Sequence, residues 1–112
     1  MGHWIDAVDA ATLARGGRWL VRREGREIAL FVVDGRLYAI DDSCPHAGAS
    51  LATGKLDGTT VTCRAHGLRF DLATGCMRGA AGLAVRAYPV RERDGRIEVD
   101  IADAADAAAA PN

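Results

Sequence analysis

The sequence predicts an all-β fold of antiparallel hairpins with a long loop region inserted between them. Two observations carry the prediction. β-Prone runs alternate with acidic-residue–glycine turns at Glu24-Gly25, Asp34-Gly35 and Asp94-Gly95, and two such runs around an Asp-Gly pair are a strong short-range hairpin signal. Residues from Asp41 to about Gly82 differ in kind. They are rich in Gly, Ala, Thr, Cys and His and poor in large apolar side chains, so something other than a hydrophobic core is expected to hold them.

The elements follow in chain order. Asp6 to Leu13 reads as a helical turn or two. Arg18 to Arg23 is a strand closed by Glu24-Gly25, and Glu27 to Val33 carries the apolar run Ile28-Ala29-Leu30-Phe31-Val32-Val33. Asp34-Gly35 then turns the chain into Leu37 to Ile40, and a third Asp-Gly, Asp57-Gly58, precedes a short strand at Thr59 to Cys63. Tyr88 to Arg93 leads into Asp94-Gly95 and Arg96 to Ile101 leads out. There Ile97, Val99 and Ile101 alternate with Arg96, Glu98 and Asp100, as in a half-buried strand. Ala102 to Ala110 has a helical composition, but so short a stretch is marginal alone. Residues 102–112 are therefore expected to be a flexible Ala/Asp tail behind one domain at 1–101, whose loop subdomain covers about 42–82.

A length of 112 residues fits a single domain. With 14 Lys+Arg against 15 Asp+Glu, the formal net charge is −1, which argues against nucleic acid or an anionic membrane surface as the main partner. No apolar run is long enough to span a bilayer, and the N-terminal residues lack the pattern of an export signal, so a cytoplasmic location is expected. The three cysteines are Cys44, Cys63 and Cys76. An odd, small number in a reducing compartment favours metal binding over a disulfide framework.

Two of them stand with histidines in the loop region, as Cys44-Pro45-His46 and Cys63-Arg64-Ala65-His66, with residues 47 to 62 between the pairs. Each pair offers one thiolate and one imidazole in a glycine-flanked turn, His46-Ala47-Gly48 and His66-Gly67. A two-sulfur, two-nitrogen donor set suits tetrahedral zinc or an iron–sulfur cluster. His3 has no such company and reads as an incidental terminal residue.

Cys44-Pro45-His46-Ala47-Gly48 and Cys63-Arg64-Ala65-His66-Gly67, with Phe70-Asp71 and Thr74-Gly75 behind, resemble the two cluster-binding boxes of Rieske [2Fe-2S] proteins. Asp34 to Asp42 resembles the hairpin entering the first box, and Leu83 to Val90 the strand leaving the cluster region. The resemblance covers residues from about 4 to 101. It implies a Rieske-type antiparallel β-sandwich base with the cluster subdomain inserted. It also implies that Cys44 and Cys63 hold one iron and His46 and His66 the other, an arrangement that raises the potential relative to all-cysteine clusters.

The resemblance also narrows the type. Respiratory-type relatives add a cysteine to each box and bridge the two; here those places hold Ala49 and Ala65. They carry hydroxyls two and four positions after the second His; here stand Leu68 and Phe70. Fewer donors to sulfur make reduction harder, so the potential is expected near the low end of the Rieske range, about −150 mV. A Gly-Pro-Ala stretch common over the cluster is Gly79-Ala80-Ala81 here. Cys76 has no counterpart among the ligands and reads as a partly buried thiol, and Asp41 and Asp42 read as solvating loop residues. Only His3 remains for a mononuclear iron site, so the chain itself is not expected to be an enzyme. The implied function is that of a soluble ferredoxin, a monomeric one-electron carrier from a flavin-dependent reductase to a terminal oxygenase that hydroxylates aromatic rings. The small subunit of an assimilatory nitrite reductase and a structural zinc module are the alternatives.

Overall fold

The structure is a computed structural model, and it describes residues 2–42, 50–63, 69–76 and 85–102. β1 (Trp4–Asp9) is followed by a short helix, α1 (Ala10–Gly16), then by β2 (Arg18–Arg23), β3 (Arg26–Val33) and β4 (Arg36–Asp41). A 3-10 turn at Leu51–Thr53 precedes β5 (Lys55–Asp57), β6 (Thr60–Thr62) and β7 (Arg69–Asp71). β8 (Ala87–Tyr88), β9 (Val90–Arg93) and β10 (Arg96–Asp100) follow. The described strands form three antiparallel sheets, ordered β1-β10-β9, β2-β3-β4-β8 and β5-β6-β7. The all-β expectation holds.

The expected hairpins form where the acidic–glycine pairs stand. Asp34 and Gly35 have φ of 52° and 77°, and the pairs Glu24-Gly25 and Asp94-Gly95 also have positive φ at both positions. Two such residues make the primed turn whose twist matches that of the flanking strands. The third Asp-Gly behaves differently. Asp57 ends β5 and pairs with Thr60, so the turn residues are Gly58 and Thr59.

The sheet β2-β3-β4-β8 is the middle layer. Successive side chains of a strand point to opposite faces. Ile28 and Leu30 of β3 face Val8, Leu13, Ile97 and Val99 in one apolar cluster. Ala29 and Phe31 join Ile40, Leu51, Val61, Phe70 and Leu72 in a second. A strand buried on both faces reads as a continuous apolar run, which is why Ile28 to Phe31 shows no alternation. The chain passes from the middle sheet to the outer one between β8 and β9, at Pro89. Proline has no N–H for a ladder, and its carbonyl instead accepts from the Asp100 N–H at 3.0 Å.

Three expectations are corrected. Asp6 to Leu13 is not helical throughout: Asp6 to Asp9 belong to β1, and the helix begins at Ala10. The β1–β10 register shifts between Asp6 and Val8, a bulge that puts buried Ile5 and Val8 three apart and disguises a strand as a helical pattern. Asp9 ends the strand and caps the helix, its Oδ2 accepting from the Thr12 N–H at 3.2 Å. Second, the loop region has an apolar core of its own, because Leu51, Val61, Phe70 and Leu72 all pack on the far face of the middle sheet. Third, His3 is not incidental: its N–H donates to Asp100 Oδ1 at 2.8 Å and its ring faces Glu24 at 3.1 Å. The expected tail, from residue 103 onward, lies outside the described residues.

Candidate metal centre

The fold fixes the residues that flank both boxes. β4 delivers the chain to Asp42, which is 3% exposed. The Asp42 N–H donates to the Glu27 carbonyl at 2.9 Å, and its own carbonyl accepts from the Leu51 N–H at 2.5 Å. Its Oδ1 accepts from Ser50 Oγ at 2.8 Å and from the Ala52 N–H at 2.7 Å. One residue therefore ties together the departure and the return of segment 43–49. Arg18 secures the return from the other side, its guanidinium donating to the carbonyls of Ala52 at 2.9 Å and Gly54 at 2.6 Å. The expectation that Asp41 and Asp42 merely solvate loops is thus overturned: buried N–H and O–H groups need acceptors, and Asp42 is one.

The second box joins β6 to β7. Thr62 pairs with Arg69, so residues 63–68 connect two hydrogen-bonded strands. Cys63, the first residue after β6, is 1% exposed and packs in the cluster that holds Leu51, Val61 and Phe70. The structure thus brings Leu51, which follows segment 43–49, and Cys63, which opens the second box, into one apolar layer. Cys44, His46 and His66 lie outside the described residues, as do Ala49, Ala65, Leu68 and Gly79-Ala80-Ala81.

Behind the second box a turn is locked by contact. The Gly75 N–H donates to the Asp71 carbonyl and its carbonyl accepts from the Val85 N–H, both at 2.7 Å. Gly75 has φ of 78°, and a Cβ there would run into the Val85 carbonyl. Cys76 beside it is exposed rather than partly buried.

Asp41 has a partner that sequence reasoning missed. Tyr88 donates its hydroxyl to Asp41 Oδ1 at 2.5 Å, and Arg26 reaches the same hydroxyl at 3.5 Å. Burial, and then the hydrogen bond to the Asp41 carboxylate, push the Tyr88 hydroxyl up to about 12. The bond ties β8 to the last residue of β4, just ahead of the first box. No spacing in the sequence signals it, since 47 residues separate the two.

A buried cysteine at the root of a strand-to-strand connection, in one apolar layer with Leu51, which follows the segment carrying Cys44 and His46, fits a sulfur- and nitrogen-ligated metal group. The Rieske [2Fe-2S] domain family matches residues 3–89. The chain belongs to this family. Its cofactor is accordingly a [2Fe-2S] cluster, and the zinc alternative falls away. Among relatives of the Rieske chain, the ferredoxin component of the naphthalene 1,2-dioxygenase system of Pseudomonas putida is 34% identical over 99 residues, covering 88% of this chain and 95% of the relative. A chain in the complex of reduced oxygenase and oxidized ferredoxin in carbazole 1,9a-dioxygenase is 29% identical with a TM-score of 0.78, covering 87% of this chain and 92% of that one. A protein described as an NADH-dependent nitrite reductase small subunit from Mycobacterium tuberculosis is 26% identical with a TM-score of 0.81, covering 89% and 96%.

Proposed function

We propose that this Rieske protein receives single electrons from a flavin-dependent reductase and delivers them to the terminal oxygenase of an aromatic-ring-hydroxylating system. The carrier role itself, as a ferredoxin component rather than a catalyst, follows from the near full-length match to ferredoxin components of dioxygenase systems. That match is the observation that carries the reading. In it Cys44 and Cys63 hold one iron of the cluster, and His46 and His66 hold the other. When bound, the cluster takes up and gives up one electron.

The described residues act around it. Asp42 holds the residues on either side of segment 43–49 at a fixed separation, and the β6–β7 ladder does the same for Thr62 and Arg69 on either side of the second box. The apolar layer of Leu51, Val61 and Phe70 keeps water from the Cys63 side, which favours the less charged state of whatever the thiolate binds. No helix among the described residues is long and apolar enough to cross a membrane. A cytoplasmic, monomeric carrier belongs to the same reading.

The test is a reconstituted chain of reductase, this protein and oxygenase, with iron content and spectrum followed in parallel. Oxygenase turnover that requires this protein supports the reading. Cys63→Ala and Cys44→Ala are expected to be colourless; a full-occupancy [2Fe-2S] spectrum in either would overturn the ligand assignment. The likeness to the nitrite reductase small subunit supports a second reading, separated by whether the protein restores oxygenase turnover or instead co-purifies with a nitrite reductase large subunit.

A further inference from the structure

The outer face of the β5-β6-β7 sheet carries its charges in two rows. Lys55 pairs with Thr62 and Thr62 with Arg69; Asp57 pairs with Thr60 and Thr60 with Asp71. Paired residues share a face, and so do residues two apart on one strand. All four charges therefore stand opposite Leu56, Val61 and Phe70, which pack inward. Lys55, Asp57 and Arg69 are exposed and Asp71 is half-buried. By sheet geometry the two rows lie about 7 Å apart, and each spans about 10 Å across three strands.

The cationic row is the one beside the second box. Thr62 immediately precedes Cys63, and Arg69 stands where β7 resumes after residue 68. Asp71 also accepts from the Thr74 hydroxyl at 2.9 Å, but cross-strand pairing does not account for the rest of the pattern. Cross-strand attraction needs opposite charges in register, and here each row holds like charges with a threonine between them. Neither Lys55 nor Arg69 forms an ion pair among the described residues. With a net charge of only −1 on the whole chain, long-range attraction is weak. At physiological salt, where charges are screened beyond about 8 Å, a partner at contact senses the local rows rather than the total.

We propose that this face orients the terminal oxygenase on the protein, the Lys55–Arg69 row meeting acidic groups at the rim of the oxygenase's electron-accepting site and the Asp57–Asp71 row meeting basic groups set further back. The inference rests on the carrier reading and on Cys63 as a ligand. Such complementarity acts on encounter rate and register more than on the lifetime of the complex.

The experiment measures the second-order rate of electron transfer from the reduced holo-protein to a terminal oxygenase, by stopped flow across a salt series. The oxygenase is the one that wild type reduces fastest among ferredoxin-dependent aromatic-ring dioxygenases, the naphthalene enzyme included. Lys55→Glu/Arg69→Glu is expected to slow transfer about tenfold at low salt and to converge on wild type at high salt. Lys55→Asp/Asp57→Lys exchanges the charges within β5 at constant net charge and is expected to slow it severalfold. Iron content, spectrum and reduction potential are taken on each variant, so that a damaged cluster is told apart from a lost contact, and Lys55→Gln/Arg69→Gln gives a milder version for the same plot. Unchanged rates in variants with intact clusters would overturn the proposal, as would slowing confined to reduction by the reductase. Wild type that reduces none of the oxygenases would instead overturn the carrier reading, and this inference with it.

Discussion

Asp42 is the residue on which the first box hangs. Its carboxylate accepts from Ser50 and Ala52 while nearly excluded from water, and charged hydrogen bonds of this kind contribute about 1.5 to 3 kcal/mol each. Asp42→Ala is expected to lower stability by about 3 to 6 kcal/mol and to reduce bound iron per chain, which thermal unfolding and an iron assay would show together. Iron content at the wild-type level would mean that segment 43–49 needs no clamp. Phe70 bears on the potential instead. It is fully buried in the layer that holds Cys63, at a place where the high-potential type carries a hydroxyl. Phe70→Tyr introduces one O–H donor, and a hydrogen bond to sulfur strengthens as the cluster gains negative charge. A difference of about 1 to 2 kcal/mol corresponds to a rise of about 40 to 90 mV for a one-electron couple. Protein-film voltammetry reads this directly; an unmoved potential with a full cluster would show that the hydroxyl does not reach sulfur.

Two glycines separate turn chemistry from packing at the level of elements. Gly35 sits in an open hairpin with nothing within reach of a Cβ, whereas Gly75 combines φ of 78° with the Val85 carbonyl directly in the way. Gly35→Ala should cost about 1 to 2 kcal/mol, the penalty of a left-handed conformation alone. Gly75→Ala should cost more, because the turn between β7 and β8 must open as well. Chemical denaturation of both variants checks the order; equal losses would mean that the Val85 strand yields. The hairpins were legible because their determinants are local: two residues at positive φ between β-prone runs. β1 was not legible, because its bulge erases the alternation and its partner β10 lies 87 to 96 residues away.

At the scale of the molecule, the described strands form three sheets packed about one central layer, and this changes what loss of the cluster should do. Little apolar content between Asp41 and Gly82 suggested that metal binding supplies most of that region's folding energy. With Leu51, Val61, Phe70 and Leu72 seated against Ala29, Phe31 and Ile40, the apo chain is expected to keep β5, β6 and β7 on the middle sheet with reduced protection. Hydrogen exchange after iron chelation would show slow amides in β3 and β10 and intermediate ones in β6. Fully unprotected β5–β7 strands would restore the cluster as their main support. A pH dependence belongs to this scale as well, because Tyr88 joins β8 to β4. Its hydroxyl is raised from 10.0 to about 12 in the folded state, so the unfolded chain loses that proton first. The contribution is complete below pH 10 and is lost as pH rises towards 12, on the order of 2 kcal/mol in all. Comparing wild type with Tyr88→Phe in denaturant titrations at pH 9 and 11 isolates it; parallel behaviour would mean that the fold does not raise the Tyr88 hydroxyl.

The fold class, the hairpins, the two Cys-His boxes and the family were all readable from the chain, because each is written in residues close together in sequence. Cys63 could be singled out as a ligand candidate by its spacing to His66, but not as a buried residue beside Phe70. The clamp at Asp42, the Asp41–Tyr88 bond and the two-row charge pattern on β5-β6-β7 were decided only by tertiary structure. Each depends on register or burial between segments that meet only when the strands pair and the sheets stack. A carboxylate eight residues before a serine looks like any loop residue until burial removes its water and leaves Ser50 and Ala52 to replace it.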